Sequence, residues 1–181
     1  MVTTSDGTTH AAIATKLADM KALQRLLISG AEALRSQCAD STIQDLFIQV
    51  QEHEEDILES LNRAIAEFNP PGEATETIHA SIEKIQQTLQ NPNLSLVDKV
   101  LQYTLLKYQQ IFMGLMVHEA AATLGGTTAK AMRSLNEFSF ELEIHQEELK
   151  TILETLAVHE MTGKEMPHGF WHLLQNSWLG W

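Results

Sequence analysis

The chain has one cysteine, Cys38, among 181 residues, so no intramolecular disulfide can staple it, as fits a reducing compartment. Cys38 stands at the end of an apolar stripe and reads as a small core or loop residue, not a nucleophile. Basic residues are scarce: 12 Lys and Arg against 24 Asp and Glu leave a formal net charge of −12. Phosphate neutralisation needs clustered Lys and Arg, so neither a nucleic-acid partner nor an anionic membrane surface is expected. The longest apolar run, Ile111 to Val117 with Gly114 inside it, is far too short to span a bilayer. Residues 1–10 have no basic start and no apolar stretch, so they do not read as a signal peptide, and a cytoplasmic location is expected. Strand-type alternation is missing throughout. So are Gly-x-Ser-x-Gly, a Gly-rich phosphate loop and any His near Cys38 in sequence, and nothing points to an enzyme of those classes.

What the chain does have is helical periodicity. At 20.3 kDa, with 44% hydrophobic residues and a mean hydropathy of −0.13, it fits one domain with a real core. From about Ala11 to Arg35, Ile13, Leu17, Met20, Leu23, Leu27, Ala31 and Leu34 share one helix face. Asp40 or Ser41 can cap a second helix, about Thr42 to Phe68, with Ile43, Leu46, Phe47, Val50, Ile57, Leu58, Leu61 and Ile65 interrupted by His53 and Glu54. Asn69-Pro70-Pro71-Gly72 stops that helix. A shorter one, about Ala74 to Gln90, carries Ile78, Ile82, Ile85 and Leu89. Ser95 can cap a third long helix, about Leu96 to Leu124, with a stripe of Leu101, Leu105, Tyr108, Phe112 and Leu115 on which Glu119 also falls. Gly125-Gly126 ends it, and a fourth long helix runs from Thr127 to His159. Its stripe of Ala131, Leu135, Phe138, Leu142, Leu149, Ile152 and Leu156 contains one non-hydrocarbon step, His145.

The expected class is all-α: two antiparallel hairpins, a long crossover containing the short helix, and a C-terminal aromatic helix. Residues 1–10 are read as a loosely ordered N-terminus, 11–161 as the bundle, and 162–181 as a docking helix or tail of the same domain. At 1.5 Å per residue, His53 lies roughly 18 Å from the first hairpin's turn, and His145 roughly 27 Å from the second's. If the crossover runs the length of the bundle, the turns sit at opposite ends and His145 comes level with His53; with both turns at one end the two miss by roughly 9 Å. The crossover topology is therefore the expected one. About Leu27 on the first helix and Lys107-Tyr108 on the third then face the histidines.

Gln51-Glu52-His53-Glu54-Glu55-Asp56-Ile57-Leu58-Glu59, and Leu105 to Gly125 with the helix after it, carry a resemblance to the ferritin-like superfamily over about Ala11 to Met161. Ala14 to Gln24, Val117-His118-Glu119-Ala120-Ala121 and His145-Gln146-Glu147-Glu148-Leu149-Lys150 resemble a cyanobacterial group labelled ferritin-like or hemerythrin-type (HHE) cation-binding. The resemblance implies the bundle fold and, for some such proteins, iron or another divalent cation and a stress-related or redox role. The pattern also departs from the superfamily. Di-iron sites there use Glu-x-x-His on two helices, and the residues three before His53 and His145 are Val50 and Leu142. Lone Glu ligands are missing at the facing levels. A hemerythrin pattern would need a ligand at Ile57, Ala122 or Leu149.

The candidate metal ligands are thus His53, Glu54, Glu141, His145 and Glu148, with Glu141 and His145 one helical turn apart. The competing expectation is a buried histidine pair hydrogen-bonded to Tyr108 or to those carboxylates. His118-Glu119 lies near the second turn and belongs to no shared site. Two function classes stay open: a ferritin-like metalloprotein with a degenerate mid-bundle site, and a metal-free bundle that binds a protein or small ligand. Phe170, Trp171, Leu174, Trp178 and Trp181 form a helix-spaced aromatic ridge, expected to bury on the chain's own bundle or across a homodimer.

Overall fold

The structure, a computed structural model, describes residues 4–66 and 72–164; within those, the side chains of 4–6, 127, 131 and 133–147 lie outside the description. The elements in order are α1 (Thr4–Arg35), α2 (Ser41–Ala66), α3 (Glu76–Gln90), α4 (Leu96–Leu124), α5 (Gly126–Ala131) and α6 (Arg133–Thr162). No strand occurs among the described residues, and no helix there is long and apolar enough to cross a membrane.

Local chemistry sets most of the ends. Asp40 Oδ1 accepts from the Thr42 and Ile43 N–H groups at 2.7 and 3.3 Å and so opens α2. Thr75 caps α3 and Ser95 caps α4, each accepting from the N–H three residues on. Gly125 (φ 67°) and Gly163 (φ 66°) close α4 and α6 in backbone that a side chain would strain. Two boundaries differ from expectation. α1 begins at Thr4, seven residues early, and His10 on this extra length meets Thr128 at 3.5 Å, a contact no local pattern announces. The fourth long helix is broken at Met132 (φ −86°, ψ 0°), which is fully buried and separates α5 from α6.

Side-chain contacts give the direction of every helix. Gln37, in the turn just past α1, meets Lys99 on α4, Gly30 lies against Tyr103, and Gln24 meets Gln110, so α1 and α4 run antiparallel. The α3 helix runs parallel to α1: the Thr75 N–H donates to Asp19 at 2.7 Å near its start, and Gln37 donates to the Leu89 carbonyl near its end. The chain therefore crosses the full bundle between hairpins, α2 and α4 are parallel, and the two hairpin turns sit at opposite ends. The seven apolar residues expected on the first helix face are all buried in the core.

The α4 stripe is the main correction. Leu101, Leu105, Tyr108, Phe112 and Leu115 face outward, between 40% and 62% exposed. The buried face carries Val100, Tyr103, Leu106, Lys107, Gln110, Met113 and Val117 instead. The helix is apolar on both sides, so periodicity offered two stripes and the wrong one was the more hydrophobic. Glu119, expected to be partly buried on that stripe, is 81% exposed at its side chain.

The crossover starts in tight register with α1. A Cβ placed on Gly72 would overlap the Ala14 carbonyl and the Thr15 nitrogen. Gly72→Ala should therefore cost about 1–3 kcal/mol, as overpacking does. Gly7→Ala, in open space on α1, should be neutral or gain up to about 1 kcal/mol from helix propensity. Urea unfolding of the two variants checks this, and equal effects would remove the close approach from the account.

Candidate functional site

The middle of the bundle is polar, and one carboxylate is its focus. Val50, Glu54, Ile57 and Leu61 follow the buried line of α2, which carries Glu54 into the core with no exposed surface. Burying that charge requires an opposite charge and several donors. Lys107 of α4, itself 1% exposed, places Nζ 2.7 Å from Oε1 and 2.6 Å from Oε2. Gln24 of α1 donates to Oε2 at 2.6 Å and to the Glu54 backbone carbonyl at 2.8 Å. The Tyr103 hydroxyl donates to Oε1 at 3.4 Å. Gln110 extends the chain, donating to Gln24 Oε1 at 3.1 Å and to the Met20 carbonyl at 2.9 Å. The donors of Lys107, Gln24 and Tyr103 all run to Glu54, and Gln110 joins them through Gln24. Gln110 Oε1 is buried and accepts no hydrogen bond among the described residues.

Electrostatics follow from this enclosure. Burial, and then the charge of Glu54, hold the Tyr103 hydroxyl well above the ordinary range, so it remains a neutral donor. Burial lowers the Lys107 pKa, and Glu54 opposes that shift. On the α6 side, Glu148 is 16% exposed at its side chain, with Oε2 3.4 Å from His53 Nδ1. Burial raises the Glu148 pKa; His53 and Lys107 work against the rise, and Glu54 adds to it.

The expected site residues divide. Glu54 and Glu148 come to one level of the bundle, with His53 between α2 and α6. Histidine burial is corrected: His53 is 36% exposed at its side chain, because it flanks the Val50–Glu54–Ile57 line and the glutamate occupies it. Tyr108 is not the hydroxyl of the network. It faces outward, and Tyr103, five residues earlier and on the opposite face, takes the role. Glu141 and His145 fall within α6, with side chains outside the described residues. Among the described residues no three His, Cys, Asp or Glu side chains are grouped to hold a metal ion. Sequence reasoning placed Lys107 at the facing level and gave it no role; it missed Gln24, Tyr103 and Gln110. The available signal was a lysine and two glutamines spaced like core residues on otherwise apolar helix faces. Cys38 is buried against the Leu34 carbonyl, and burial raises its thiol to about 11, which suits no nucleophile.

The arrangement of two hairpins around a long crossover matches the crystal structure of the E. coli stress protein YciF. The TM-score is 0.66, over 87% of this chain and 98% of that one, at 13% sequence identity. The fold is ferritin-like. A protein of Nostoc sp. named DNA nickase is 36% identical over 177 residues, which are 98% of this chain and 50% of that protein. The chain thus spans about half the length of that curated relative. No protein-family model matches the sequence.

Two predictions come from the ion pair and its neighbour. Lys107→Met leaves Glu54 buried without a counter-charge and should cost about 3–5 kcal/mol in urea unfolding, while Glu54→Leu/Lys107→Met should recover most of that loss. A double variant as unstable as the sum of its single changes would show that the pair is not a unit. Glu148 has the opposite linkage from an ordinary stabilising carboxylate. Its folded pKa is raised, so it favours the folded state fully below the unfolded value of about 4.5, and this contribution is lost as pH rises through the folded pKa. Glu148→Gln should raise Tm at neutral pH and flatten the Tm–pH profile just above pH 4.5; an unchanged profile would exclude this linkage.

Proposed function

We propose that the chain is a metal-free ferritin-like binding module, held at mid-bundle by its own lysine–carboxylate pair, and that it acts through its surface and not through a catalytic centre. One observation carries this reading: Lys107 Nζ, buried, lies within 2.7 Å of both Glu54 oxygens. An ammonium group neutralises the carboxylate from the position a bound cation would take. The groups around it do not fit a metal, since Lys107, the Gln24 amide and the Tyr103 hydroxyl all present hydrogens to Glu54. A hemerythrin-type set is equally ill served, because Ile57 and Leu149 stand at the required steps as buried hydrocarbon. The likeness of fold to a stress protein supports a role in stress protection, carried out in the cytoplasm by binding a partner.

Elemental analysis of the chain purified from its native host should find no stoichiometric iron, manganese or zinc, and adding those ions should leave Tm unchanged. One or more metal ions per chain, lost in His53→Ala/His145→Ala, would overturn the reading in favour of a degenerate metal site.

A second reading rests on the 36% identity to the Nostoc protein, and gives this chain a share in DNA nicking. Net charge of −12 and the burial of Lys99 and Lys107 weigh against it, since a phosphate backbone needs exposed cations. In the first reading the shared half is a binding domain of that longer protein, and the 181-residue chain leaves supercoiled plasmid intact with or without divalent cations. Conversion to open circles that a single substitution abolishes would establish the second.

A further inference from the structure

The outer face of α4 is built like a core. Leu101, Leu105, Tyr108, Phe112, Leu115 and Met116 recur at steps of three and four along about 22 Å of helix and stand 40–62% exposed. Between Lys99 and His118 the only charged residue of α4 is Lys107, which points inward. A helix apolar all round is ordinarily covered on every side. The stripe continues into a groove of about 330 Å³ between α4 and α6, walled by Leu101, Leu105 and Tyr108 on one helix and Leu149 and Leu153 on the other.

We infer that this face is the seat of the chain's own C-terminal segment, residues 167–181, docked as a helix along the α4–α6 groove with its aromatic ridge inward. Width is the first argument. A stable interface between two globular chains engages about 20–30 residues a side, whereas a stripe one helix wide, with a groove beside it, matches the apolar face of a single helix. Position is the second. Because α6 runs antiparallel to α4, its Gly163 end lies beyond the Leu101 end of the stripe. Ten residues past Leu153 carry it about 15 Å out. Four extended residues from Gly163 return about 13 Å, which brings Pro167 back to the start of the stripe. The fifteen residues from Pro167 to Trp181 then span about 22 Å as a helix, the length of the exposed face. Composition is the third. Phe170, Trp171, Leu174, Trp178 and Trp181 fall on one side of such a helix, and Pro167 is favoured in its first turn. Those residues lie outside the described part of the structure; the face that would receive them is within it.

All three tryptophans of the chain are in this segment, so their fluorescence reports it alone. The full chain should be a monomer with blue emission and slow acrylamide quenching. Phe112→Glu, on the exposed face, should keep its far-UV helicity and shift the emission red, with quenching several-fold faster. A chain ending at residue 164 should stay helical and gain binding of a hydrophobic dye, which Phe112→Glu then removes. The inference is overturned if wild-type emission is already that of solvated tryptophan, or if Phe112→Glu leaves emission and quenching unchanged in a monomer. It is equally overturned if the full chain is a dimer that Phe112→Glu dissociates without moving the emission, which would make a second copy the occupant.

Discussion

The Glu54–Lys107 pair is the constraint around which the bundle closes. It joins α2 to α4, the diagonal helices of the square, across a centre where two ordinary apolar side chains reach less far. Lysine and glutamate together span that gap, and Gln24 and Gln110 bring α1 into the same level. The pair also discriminates between topologies. Glu54 lies thirteen residues below Ser41 and Lys107 eleven below Leu96, roughly 20 and 16 Å from the same end of the bundle. Had the crossover been short and α4 started at the other end, its roughly 43 Å length would put Lys107 about 27 Å from that end. The ammonium would then miss the carboxylate by roughly 7 Å, and each would be buried alone at a cost of several kcal/mol. A hydrocarbon centre would be more forgiving of either arrangement.

Much of this was legible in the sequence, and the reasons differ from element to element. Ser95 acts through its own side chain and Gly125 through its own backbone, so their effect is local and both ends of α4 could be read directly. The α1 stripe was legible because its other face is polar. α4 offered no such contrast, and its more hydrophobic stripe was mistaken for the buried one. The site shows the same limit. Period alone separates His53 from Glu54 by only 100°, and an apolar neighbour counts for both, so the stripe is interrupted by both and does not say which is buried. What decided between them was Lys107, some fifty residues away, and no local pattern contains that information.

Comparison with YciF gives the same lesson at the level of the fold. At 13% identity the two chains keep one architecture. An architecture kept at that identity is one that many sequences satisfy. Mid-bundle chemistry is a separate choice made on that frame. In this chain the choice is a resident cation from the polypeptide itself. Its effect on the surface is indirect: with Lys107 and Lys99 turned inward, fewer than the twelve Lys and Arg of the sequence are left to offset the acidic exterior. An acidic exterior with one uncharged helix face concentrates any apolar recognition on that face.

The uncharged face and the buried pair meet in one residue. Lys107 lines the α4–α6 groove while its ammonium reaches Glu54 on the far side of the helix. Lys107 is thus common to the groove and to the pair, and its four-methylene stem stands between the two. Water at that point would raise the local dielectric, weaken the attraction between the charges and lower the cost of separating them. A helix seated in the groove, as inferred above, would exclude that water, and covering α4 would then also keep the central ion pair strong. The apolar outer face of α4 is thus part of the same construction as the polar centre.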